Sequence, residues 1–133
     1  MIHYQVSGTG DQWLVFVHGL TCDGSDWSYQ LRDFENEYQC LTVDLRGHGK
    51  SHGYGGPLDL ETHASDVNRV LRSLNISNAV LIGHSMGTRV IASAAIQSPD
   101  SAGGLVFVDG SICLLYTSPS PRDLSTSRMP SSA

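Results

Sequence analysis

The stretch that most constrains the fold is Val80-Leu81-Ile82-Gly83-His84-Ser85-Met86-Gly87-Thr88-Arg89-Val90-Ile91-Ala92. An apolar run of strand length meets a helix-forming segment across a serine with a glycine two residues to either side. That order, strand then G-x-S-x-G then helix, is the context of a strained turn that exposes a serine hydroxyl. Glycine is expected at 83 and 87 because bulk there would collide with the neighbouring backbone. The helix that follows would aim its first N–H groups at the hydroxyl and favour negative charge developing there. The pentapeptide alone also arises as an ordinary turn with an incidental serine. The flanking pattern and an upstream His18-Gly19 loop favour the functional reading.

The rest of the chain punctuates around this turn. Ile2 to Val6 reads as a short edge strand ended by the turn Ser7-Gly8-Thr9-Gly10. Trp13-Leu14-Val15-Phe16-Val17 is a continuous apolar run, as expected of a strand buried on both faces. A loop from His18 to Gly24 leads to a helix with Trp27, Gln30, Leu31 and Phe34 at helical spacing and Ser25 or Asp26 as its N-cap. Cys40 to Leu45 is the next strand and Arg46 to Ser51 a turn. A second helix follows with Ala64, Val67, Val70, Leu71 and Leu74 on one face and Asp66, Arg69 and Arg72 opposite. Ala79 to Ile82 and Gly104 to Asp109 are further strands, separated by a helix from Met86 to about Gln97 that Pro99 closes. Alternating strands and helices predict right-handed crossovers and a parallel sheet covered on both faces, an α/β domain.

Composition bounds what such a domain can do. The chain has 133 residues, 40% of them apolar, enough for one globular core. A formal charge of -5 with scattered basic residues argues against a nucleic-acid surface. No apolar run approaches the length of a membrane span, and Met1-Ile2-His3-Tyr4 has neither the basic nor the apolar region of a signal peptide. Cys22, Cys40 and Cys113 show no C-x-x-C spacing, which points to reduced thiols and a cytoplasmic location. Gly49-Lys50-Ser51 mimics the end of a P-loop, but Asp44 stands where that motif needs glycine. Gly8-Thr9-Gly10 lacks the third glycine of a dinucleotide fingerprint. No metal-ligand spacing occurs, so no cofactor and no metal are expected.

Three features in order now resemble one family. They are the His18-Gly19 loop, the turn Asp44-Leu45-Arg46-Gly47-His48-Gly49-Lys50-Ser51, and Gly83-His84-Ser85-Met86-Gly87. Together they resemble the serine-hydrolase members of the α/β-hydrolase fold, over roughly residues 1–112. The resemblance implies Ser85 as nucleophile, an oxyanion hole from the backbone amides of Leu20 and Met86, and an acyl-enzyme hydrolysed by water. Members with an aspartate nucleophile are disfavoured because position 85 is serine.

The family places its acid and histidine after the serine, yet His3, His18, His48, His52, His63 and His84 all precede Ser85. His84 adjoins the serine and is expected to point away from its hydroxyl, and His18 to support the oxyanion loop. The catalytic histidine is expected to be missing from this chain. Asp109 falls at the end of the strand after the serine strand, where some relatives carry the acid; a turn or cap role is the competing reading. Arg89 could meet a substrate carboxylate, against a default of solvation or helix packing.

Residues 113–133 show no period and hold three of the chain's five prolines, as a disordered linker would. Back-translated, Cys113 to Asp123 also resembles a transposon-based sequencing adaptor, and Ser127 to Ala133 its flow-cell end. The expected division is therefore 1–112, the N-terminal part of a hydrolase domain truncated after the strand that follows the serine turn, and 113–133, a non-native or disordered tail. The function expected of the intact parent is hydrolysis of a small-molecule ester, thioester or lactone. A same-fold C–C hydrolase or menaquinone-pathway-type lyase, or a non-catalytic protein on this fold, are the alternatives. No nucleic-acid or membrane partner is expected, and the oligomeric state is not read from the sequence.

Overall fold

A computed structural model describes residues 1–110. The expected tail at 113–133, with Cys113 and the adaptor-like segments, lies outside the described residues. The chain runs β1 (Tyr4–Gly8), β2 (Trp13–Val17), α1 (Ser28–Phe34), β3 (Gln39–Val43), α2 (Leu60–Ser73), β4 (Ala79–His84), α3 (Met86–Gln97) and β5 (Ala102–Val108). The five strands form one sheet in the order β1-β3-β2-β4-β5. β2 is parallel to β3 and β4, and β4 to β5. β1 alone is antiparallel, with Tyr4 opposite Val43 and Gly8 opposite Gln39.

Crossover handedness decides which face each helix covers. The chain leaves β2 toward β3 on one side, then returns past β2 to β4 and on to β5. Right-handed crossovers in opposite directions must use opposite faces. Accordingly α2 and α3 bury Val67, Val70, Leu71, Val90, Ile91 and Ala94 against Val15, Val17, Leu41, Val43 and Leu81. On the other face Leu14, Phe16 and Cys40, the alternate residues of the same strands, pack with Trp27 and Leu31. β2 thus sends its connection over one face and β4 over the other, and Val17 lies beside Gly83 in the ladder. That divergence makes the carboxyl ends of β2 and β4 the topological switch point, where α/β sheets place their ligands.

The α/β expectation holds, with local differences, among them β3 ending at Val43 short of the expected Leu45 and β4 running past Ile82 to His84. β1 continues through Gly8, because pairing with Cys40 and Gln39 carries the ladder into the expected turn. The first helical segment starts earlier, as a 3-10 turn over Gly24–Trp27 capped by Asp23 in place of Ser25 or Asp26. The Asp23 side chain accepts from the Ser25 N–H at 2.8 Å while Asp26 reaches back to the Asp23 N–H at 3.0 Å. Asp66 does not lie on a solvent face of α2; it is buried and forms a two-point pair with Arg46, Nε to Oδ2 at 2.9 Å and Nη2 to Oδ1 at 3.0 Å. A purely helical period misplaces it because its partner arrives from the β3 turn. β5 spans Ala102–Val108, which leaves Asp109 just past its end.

Candidate active site

Ser85 occupies the turn between β4 and α3 with φ 55 and ψ -117, a backbone conformation that costs a non-glycine residue about 1–3 kcal/mol. The neighbours leave it no alternative. A Cβ at Gly87 would drive into the Val17 carbonyl oxygen and approach that of His18 to 2.8 Å. One at Gly83 would lie 2.6 Å from the Gly87 carbonyl carbon and 2.8 Å from the Thr88 nitrogen. The expected role of both glycines is therefore met by the backbone itself. The Ser85 N–H donates to the Val108 carbonyl at 3.1 Å, and the Ser85 carbonyl accepts from the Thr88 N–H at 3.0 Å and the Thr88 hydroxyl at 2.7 Å. The side chain stays exposed.

The β2 exit loop lies directly against this turn. A Cβ at Gly19 would come 3.0 Å from the Ser85 Cβ and 3.2 Å from the His84 carbonyl oxygen. Leu20 follows with its side chain largely exposed. Met86 opens α3. Among the described residues neither the Leu20 nor the Met86 N–H donates to a protein acceptor. Two N–H groups unspent among the described residues, one from the loop beside Ser85 and one from the residue after it, can serve an oxyanion formed beside the hydroxyl.

His18 holds the loop in place. Its Nε2 accepts from the Leu45 N–H at 3.0 Å, so the proton sits on Nδ1, which donates to the Gly19 carbonyl at 2.7 Å. Burial lowers its pKa from 6.5, with His48 acting the same way and the Gly19 carbonyl and Asp44 opposing. Both ring nitrogens are thereby engaged in structure. The His84 ring stands edge-on to Trp27 at 6.4 Å between centroids, with its Nδ1 3.5 Å from where a Cβ at Gly19 would lie. No imidazole among the described residues is hydrogen-bonded to Ser85.

Asp44 does work that sequence reasoning missed. Its carboxylate is 7% exposed and accepts from the Gly24 N–H at 2.7 Å and the Lys50 N–H at 2.9 Å, so it staples the β2 exit to the β3 exit. Its place in a Gly-rich turn was legible; its partner 20 residues upstream was not. Burial, followed by the neighbouring Asp26, pushes the Cys22 thiol up, which keeps the loop's thiol protonated and a poor nucleophile. Asp109 is exposed with φ 49, and its carboxylate makes no hydrogen bond among the described residues. Arg89 is half-buried and enters no ion pair among the described residues. Among those residues no group of three or more His, Cys, Asp or Glu could hold a metal ion, and no helix is long and apolar enough to cross a membrane.

A mostly parallel α/β sheet with a serine on the strand-to-helix turn at its carboxyl edge defines a class. The chain belongs to the alpha/beta hydrolase fold family, whose sequence model matches residues 12–129. It is similar to a pimeloyl-[acyl-carrier protein] methyl ester esterase of Sodalis glossinidius, 36% identical over 110 residues that cover 83% of this chain and 41% of the relative. An sn-1-specific diacylglycerol lipase of Danio rerio is 38% identical over 105 residues, 77% of this chain and 33% of that protein. Among solved structures, a thermophilic esterase from Thermogutta terrifontis superposes with a TM-score of 0.79 at 28% identity, over 91% of this chain and 43% of its own. The chain therefore spans a third to two fifths of the length of these curated relatives.

Proposed function

We propose that this chain carries the nucleophile and oxyanion site of a serine hydrolase acting on a small-molecule ester, thioester or lactone. The observation that carries the reading is Ser85, exposed at φ 55 and ψ -117, with the N–H groups of Leu20 and Met86 unspent among the described residues. In this reading the Ser85 Oγ attacks the acyl carbon, and the carbonyl oxygen becomes an oxyanion held by the Leu20 and Met86 amides. Collapse expels the alcohol or thiol and leaves an acyl-serine, which water then hydrolyses. The names of the relatives, a methyl ester esterase, a lipase and an esterase, support acyl chemistry.

Attack needs a base for the serine proton. With His18 engaged at both nitrogens and no hydrogen bond between His84 and Ser85 among the described residues, the base is proposed to lie outside this sequence. Asp109 is the candidate acid of the triad. It stands one residue past the Val108 carbonyl that Ser85 bonds. Arg89 supports the lyase or C–C hydrolase alternative, since a half-buried guanidinium with no ion-pair partner among the described residues can take a substrate carboxylate.

The test is labelling with a p-nitrophenyl phosphonate, read by intact and peptide mass. Slow, stoichiometric modification of Ser85, lost in Ser85→Ala, is expected, with no steady ester turnover by this chain. Labelling unaffected by Ser85→Ala overturns the nucleophile. Steady turnover lost in Ser85→Ala keeps the nucleophile and overturns the missing base. Protection of Ser85 by carboxylated but not neutral acyl ligands would favour the Arg89 alternative.

A further inference from the structure

Thr88 is fully buried in the first turn of α3, and both of its donors go to one acceptor, the Ser85 carbonyl. The hydroxyl donates at 2.7 Å and the N–H at 3.0 Å. That carbonyl belongs to the peptide unit whose other end is the Met86 N–H. A trans peptide is planar, so its C=O and N–H point in opposite directions and turn together. Two donors on the Ser85 oxygen therefore set the direction of the Met86 N–H on the far side of the same plane.

Thr88 is closely surrounded as well. A Cβ at Gly110 would lie 2.5 Å from the Thr88 Cγ2, 2.7 Å from its Oγ1 and 2.8 Å from the Ser85 carbonyl oxygen. Gly110, just after β5, thus stands close beside the methyl and hydroxyl together, with room there for a hydrogen and not for a side chain. A threonine in a helix can bond a carbonyl three residues back, and packing here leaves that arrangement in place.

We infer that Thr88 is a positioning residue for the oxyanion site: through the Ser85 carbonyl its hydroxyl aims the Met86 N–H toward the serine hydroxyl. The inference rests on the serine-hydrolase reading for its purpose, but the geometry it asserts can be read without any reaction. The experiment compares wild type, Thr88→Ser and Thr88→Val. The serine variant keeps the hydroxyl, and the valine variant keeps the branched shape and loses it.

Residual dipolar couplings of backbone amides in the full chain report the orientation of the Met86 N–H relative to the other α3 amides. Thr88→Ser is expected to keep the wild-type Met86 coupling, while in Thr88→Val it departs from the value fitted to α3. A Met86 coupling in Thr88→Val that matches wild type overturns the inference. So does the same departure in Thr88→Ser, which would assign the effect to packing alone. In parallel, phosphonate modification of Ser85 is expected to be about fivefold slower in Thr88→Val than in Thr88→Ser, the weight of one neutral hydrogen bond. Equal rates in the two variants would also overturn it. If Ser85→Ala labels as fast as wild type, the nucleophile reading falls and the coupling measurement still decides Thr88.

Discussion

Ser85 illustrates how a single residue is kept in a conformation it would not choose. The φ of 55 is strained for serine, and the surrounding backbone offers no relaxed alternative, because Gly83 and Gly87 already sit in contact with carbonyl groups. Gly87→Ala is therefore expected to lower stability by at least about 2 kcal/mol, as overpacking against rigid backbone does. Urea unfolding followed by circular dichroism measures it. A change below about 0.5 kcal/mol, within ordinary surface-substitution scatter, would show that the β2 end can give way. This residue-level demand was legible from the motif, since only glycine tolerates such approach. The part played by Thr88 was not, because a threonine after Gly87 carries no signal until its acceptor is seen.

At the scale of elements, the ends of β2 and β3 are tied by His18 and Asp44. The His18 tie depends on pH. The ring must stay neutral to accept the Leu45 N–H, and its folded pKa lies below the ordinary 6.5 because of burial. His63 is lowered by burial too, then by His48. For both, the unfolded chain binds the proton more readily than the native one, so stability is full above pH 6.5 and falls as pH drops through the window beneath it. Each group can contribute a slope of up to about 1.4 kcal/mol per pH unit.

Asp23 and Asp59 are shifted down by hydrogen bonds from Ser25 and Thr62. Their contributions fade only at still lower pH, below about 4. Urea melts are expected to show a clear loss of stability between pH 7 and pH 5.5, less steep in His18→Gln. A flat profile over that range would contradict the buried neutral imidazoles.

For the molecule as a whole, the two edges of the described sheet differ. β1 carries Gln5 and Ser7 and closes its side with an antiparallel pair. β5 reads Ala-Gly-Gly-Leu-Val-Phe-Val without a charge, and Leu105, Val106, Phe107 and Val108 are 37–44% exposed. An uncharged apolar edge strand invites pairing with other chains. Val106→Lys is expected to reduce light scattering of concentrated protein and leave Ser85 labelling unchanged, since the β5 hydrogen bond to the serine comes from the Val108 carbonyl and not from residue 106. Equal scattering from both proteins would mean that this edge does not drive association.

The sequence by itself determined the α/β class, the strand at Trp13–Val17, the helix at Met86–Gln97 and the serine at the turn that opens that helix. Unbroken apolar runs leave few other folds, and glycine spacing at a sharp turn is a local steric demand. Tertiary structure alone decided the antiparallel register of β1, the capping by Asp23, the burial of Asp66 under Arg46, and the bonds that fix His18, Asp44 and Thr88. Most of those depend on which groups from distant stretches meet in space, while the Asp23 cap and the Thr88 bond are made within three residues and depend on the turn the backbone takes there. A polar side chain's periodicity says where it points along its own element, and only its partner settles whether it faces water or a buried bond.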